Sequence, residues 1–193
     1  MGGVNGALFL KQLDEIIADG AGFKKVVEGI GITSLRDADG IIPTASTEPS
    51  VEALETNFDG VVVSASQTDL GSLAFMVPRD FDADKDYMAV RFLCNSGGTT
   101  NAPTIDAVLY RKRAGAVLSS DLNPTISAAC SKTSATTGTG WIEVVASGLD
   151  LNPGDALTWI FTTSAHTTDA LNVYALEVEY YSDLVYNDRD DRA

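Results

Sequence analysis

The chain has 193 residues, and 27 acidic against 13 basic side chains give a formal charge of −14. Hydrophobic residues make up 45% and charged residues 21%, a composition that supports a sizeable core and excludes disorder throughout. A pI near 4.2 argues against binding to nucleic acid phosphates, which draws on clustered Lys and Arg. The one basic cluster, Arg111-Lys112-Arg113, reads as a solvated strand end. No apolar run approaches the roughly 20 residues that span a bilayer, and Ala7-Leu8-Phe9-Leu10 is too short for a signal peptide. Neither a nucleic acid nor a membrane is expected as a partner.

Residues 1–57 read as a helical N-terminal arm and linker, 58–182 as a β-sandwich domain and 183–193 as an acidic C-terminal tail. Phe9, Leu13, Ile16 and Ile17 follow i, i+4, i+7, i+8, the spacing of one helix face. Gly20 suits the position after the helix end. Phe23, Val26, Val27 and Ile30 repeat the spacing and predict a second short helical segment. Ser34 followed by Asp37 resembles a capping signal, with room for one turn before Gly40 and Pro43. Residues 43–57 read as an exposed, extended linker.

From Phe58 the apolar period changes to two and turn residues multiply. Strands are predicted at Gly60 to Ala65, Leu70 to Val77, Tyr87 to Cys94, Thr104 to Arg111, Ile126 to Cys130, Trp141 to Ala146, Ala156 to Thr163 and Leu171 to Tyr181. The third is the clearest: Met88, Val90, Phe92 and Cys94 face one way, Ala89 and Arg91 the other. In the last, Tyr174, Leu176, Val178 and Tyr180 alternate with Glu177 and Glu179, as in a strand with one wet face. No helical pattern lies between strands, so a parallel sheet with crossovers is not expected. The expected fold is all-β: a jelly-roll-like antiparallel β-sandwich of about eight strands with a short helical N-terminal arm.

Catalytic constellations are nearly absent. Ser164, His166 and Asp169 lie too close in one loop for triad geometry, and no G-x-S-x-G elbow is present. Gly29-Ile30-Gly31 fails as a dinucleotide fingerprint. Trp141 and Trp159 could serve as sugar-stacking platforms, but each alternates with apolar neighbours, and core burial is the expected role. Cys94 and Cys130 read as two thiols, with no C-x-x-C spacing for metal or redox work. The sharpest candidate site is Asp80-Phe81-Asp82-Ala83-Asp84-Lys85-Asp86. Asp82, Asp84 and Asp86 could offer oxygen ligands to calcium, but an EF-hand would need Gly and Glu where Tyr87 and Leu93 stand. A solvated acidic loop is the favoured reading, and no cofactor is called for. A hydrolase built on paired carboxylates ranks last.

Two stretches carry a resemblance. One is Val77-Pro78-Arg79-Asp80-Phe81-Asp82 with Tyr87-Met88-Ala89-Val90-Arg91-Phe92. The other is Gly148-Leu149-Asp150-Leu151-Asn152-Pro153-Gly154-Asp155 with the final strand Val173 to Tyr180. This order of turns and strands resembles the β-sandwich virion proteins of tailed bacteriophages, of the capsid decoration (cement) or head-fibre type. The resemblance implies a structural protein of the capsid surface, a homotrimer partnered with the major capsid protein. The arm, too short to bury its own apolar face, would make the capsid or subunit contacts through Phe9, Leu13, Ile16, Ile17, Phe23, Val26 and Val27. The alternative is a glycan-binding module, receptor-binding or lectin-like, which calls for exposed aromatic side chains on one sandwich face or loop.

Overall fold

The computed structural model describes residues 24–37, 39–44, 49–98, 103–126, 138–164 and 167–183. Their strands are β1 Lys24–Ile30, β2 Ser50–Glu55, β3 Phe58–Val63, β4 Asp69–Met76, β5 Tyr87–Ser96, β6 Thr104–Lys112, β7 Thr125–Ile126, β8 Gly140–Ser147, β9 Ala156–Ser164 and β10 Leu171–Ser182. The fold is an all-β, jelly-roll-like antiparallel sandwich. The larger sheet runs β2-β3-β10-β5-β8-β7, with β1 also on β10, and the smaller runs β4-β9-β6.

Period-two patterning sorts each strand into a core face and a wet face. Met88, Val90, Phe92 and Cys94 of β5 are buried, as are Ile142, Val144 and Ala146 of β8. From the smaller sheet come Leu157, Trp159 and Phe161 of β9 and Ile105 and Leu109 of β6. The Phe92 ring meets Phe161 edge-on at 4.9 Å across the two sheets, and Phe161 stacks on Trp159 at 6.0 Å. Both geometries are favoured for aromatic pairs.

Strand β10 is the hub. Its residues Leu171, Asn172 and Val173 pair with β3, and Leu176 to Ser182 pair with β1, so β1 and β3 lie end to end along one edge while β5 holds the other. The register shifts between Val173 and Ala175. This bulge lets Val173 and Leu176, an odd number of residues apart, both point into the core. Tyr174 thus leaves the apolar set that simple alternation assigns it to.

The structure corrects the expectation of a second helical segment. Lys24–Ile30 is a strand, with seven Cα partners on β10. Val26 and Ile30 pack against the core, and Val27 points outward. Local spacing suited a helix, but the edge of Leu176 to Ser182 offers a row of backbone partners, and tertiary pairing outweighs propensity. Ser50–Glu55, read as linker, pairs with β3, and Leu35 is fully buried in the core. The boundary drawn at 57/58 falls in the β2–β3 turn. The stripe Phe9, Leu13, Ile16 and Ile17, together with Phe23, lies outside the described residues. So do Cys130, His166 and the tail from residue 184.

Candidate functional site

The outward face of the larger sheet carries a layered set of side chains, placed by register. Asn95 stands beside Asn172 in the first row. Trp141, Leu93 and Ala175 form the next, with Tyr174 displaced beside them by the bulge. Glu143, Arg91 and Glu177 form a third, then Val145, Ala89 and Glu179, and finally Ser147 and Tyr87, whose ring lies 5.5 Å from that of Tyr181. On β3, Phe58 extends the aromatic row, its ring 5.7 Å from that of Tyr174.

Trp141 is 39% exposed and Phe58 47%. The sequence reading assigned Trp141 to the core, and the structure corrects this. Its parity is that of Glu143, while Ile142, Val144 and Ala146 form the buried set. That signal was present in the sequence. Trp159 is fully buried, as expected.

Arg91 organises the centre. Its guanidinium pairs with Glu143 at 2.9 Å, with Glu177 and with Glu179 at 3.5 Å, and lies 4.7 Å from the Trp141 ring centroid. Glu179 is only 3% exposed and also meets Lys25 at 2.6 Å. The Tyr87 hydroxyl donates to Glu179 at 3.0 Å. Burial first, and then that carboxylate, push the Tyr87 hydroxyl well above the usual phenol range. Asn172 donates to Asn95 at 3.1 Å, and Asn95 donates to the Tyr174 hydroxyl at 3.3 Å. The face thus combines exposed rings with planar polar groups held in place by one another.

The carboxylates of the acidic loop turn to different partners. Asp82 Oδ1 accepts the backbone N–H groups of Asp84 and Lys85 at 2.9 and 3.3 Å, closing its own turn. Asp86 accepts from Asp150 and Leu151 N–H at 2.7 and 3.0 Å, tying down the next loop. Asp80 accepts from Ser182 at 2.7 Å and Tyr180 at 3.2 Å. These carboxylates serve three different neighbours, and no group of three or more candidate ligands converges among the described residues. Side-chain bonds to turn backbone curl the segment.

The basic cluster is likewise structural. Arg113 grips Asp155 through two bonds of 2.8 Å, and Arg111 donates to the carbonyl of Leu149 at 3.1 Å. Burial alone would raise the Asp155 pKa, but Arg113 and the Asn152 N–H outweigh it and hold the carboxyl below its usual range. Of the residues expected to touch a capsid, Val26 and Val27 belong to β1, within the sandwich.

No protein-family model matches the sequence, and no curated protein sequence does. The chain is similar in shape to several solved structures. One is the CBM36-1 domain of a multidomain xylanase from the hindgut metagenome of Trinervitermes trinervoides, at 10% identity and TM-score 0.41, over 80% of this chain and 96% of that one. Another is the xylan-binding module CBM15, at 11% identity and TM-score 0.43, over 81% and 97%. A third is the carbohydrate-binding module CBM36 in complex with calcium and xylotriose, at 14% identity and TM-score 0.38, over 82% and 99%. The expectation of a capsid decoration protein gripping through its arm is corrected: the second half of the supposed gripping arm is an edge strand of the sandwich itself.

Proposed function

We propose that this chain is a glycan-binding β-sandwich module whose ligand lies across the outer face of the larger sheet, over Trp141, Tyr174 and Phe58. The observation that carries this reading is the aromatic row itself, running across the strands with hydrogen-bonding side chains beside it. A sugar ring presents a face of C–H groups and a rim of hydroxyls. Exposed aromatic rings match the first, and Asn, Glu and Arg side chains match the second. Two strand spacings, about 10 Å, separate the strands bearing Trp141 and Tyr174. Platforms so spaced meet separate units of one linear chain. The action is binding, without turnover.

Affinity electrophoresis and calorimetry against soluble polysaccharides test this reading. At least one polymer is expected to bind the wild-type protein, and Trp141→Ala is expected to abolish that binding while the fold is retained. Binding to no polysaccharide, or full binding by Trp141→Ala, would overturn it.

A further inference from the structure

The proposed binding face is rich in carboxylates, and its two cations are already paired with them. Glu143, Glu177 and Glu179 place three formal negative charges there, against Arg91 and Lys25. Glu52 adds a fourth at the register position opposite Gly60 on β3. Neither cation is idle: Arg91 is shared among three carboxylates, and Lys25 meets Glu179 at 2.6 Å. A ligand carboxylate or sulfate brings only acceptors. To reach Arg91 it would have to displace Glu143 or Glu177 and then sit beside the carboxylate it displaced, a like-charge contact in a partly desolvated site. A hydroxyl can instead donate to those same carboxylates and leave the ion pairs intact.

We infer that this face selects neutral, hydroxyl-rich glycan chains and rejects acidic ones. The inference rests on the glycan-binding reading and adds charge selection to it. The carboxylates have two roles: they hold Arg91 under the Trp141 ring, and they exclude anionic ligands.

The experiment compares matched neutral and acidic polymers of the same backbone with the full chain: hydroxyethyl- and carboxymethyl-cellulose, and dextran and dextran sulfate. For whichever backbone binds, the acidic member is expected to bind about tenfold more weakly or worse, and the gap should narrow as ionic strength rises and screens the repulsion. Glu143→Gln, at a partly exposed position, is expected to narrow it as well, and Glu177→Gln provides a second variant at the same centre. Equal binding of both members of a pair would overturn charge selection and leave glycan binding standing. Binding of the acidic members alone would overturn charge selection and leave glycan binding standing, and binding of no member would overturn both.

Discussion

The guanidinium carbon of Arg91 lies 4.7 Å from the centroid of the Trp141 ring, on a neighbouring strand. This contact joins the exposed aromatic row to the ion-pair cluster, so the two residues should respond differently to substitution. Trp141→Ala removes an exposed ring and a cation–π contact and is expected to change stability by about 1 kcal/mol or less. Arg91→Met leaves Glu177 without its partner and weakens the hold on nearly buried Glu179, with an expected cost of about 2–3 kcal/mol. Denaturant unfolding of both variants measures this difference. An Arg91→Met protein as stable as wild type would mean that the cluster does not organise the sheet.

Asp155 ties the turn before β9 to Arg113 and to the backbone, its own N–H and carbonyl bonding to Asn152 and Val77. Its folded-state pKa lies below the ordinary 3.8. The stability it contributes is therefore fully present above that value and is lost as pH falls through the lower, folded-state pKa. Asp155→Asn is expected to cost about 2 kcal/mol near neutral pH, and to lose less further stability than wild type between pH 4 and pH 2 (roughly the carboxylate range). Melting curves across that interval check the slope. Parallel curves would show that Asp155 is not the titrating group.

Gly71 sits at φ +138°, at the register shift between β4 and β9, where a Cβ would strike the Arg36 carbonyl oxygen. Arg36 and Ser72 exchange backbone bonds of 2.9 and 2.6 Å there, which hold Leu35 over the core. Gly71→Ala is expected to cost about 2–3 kcal/mol, from backbone strain and displacement of Arg36 together. Gly115 has φ +76° with open space around it, so Gly115→Ala should cost only about 1 kcal/mol. Chemical denaturation of the pair separates the crowding from the strain.

Asp86 bridges two loops by accepting the N–H groups of Asp150 and Leu151. Asp86→Ala is expected to destabilise by about 1–3 kcal/mol, since both donors lose their acceptor. Because the carboxylates of this loop serve separate neighbours, calcium and chelator should leave the wild-type melting temperature unchanged. A rise with calcium would return the loop to the list of metal sites.

Strand positions and the core are written in local pattern. The alternation in Tyr87 to Cys94 and in Trp141 to Ala146 reports which face is buried, because successive side chains of a strand point to opposite sides. Even the outward placement of Trp141 was legible from its parity with Glu143. The sequence by itself therefore determined an all-β sandwich, most of its strands and its buried residues.

What surrounds Trp141 was not legible. Arg91, Glu143, Glu177 and Glu179 come from three strands far apart in the chain, and only strand order and register bring them together. Tyr174 reaches the outer face through a bulge that shifts the alternation of β10. Lys24–Ile30 carried helical spacing and became a strand because β10 had an edge to satisfy. Each of these depends on backbone hydrogen bonds to a distant partner. Short-range patterning carries no record of such bonds, and the tertiary structure alone decided them.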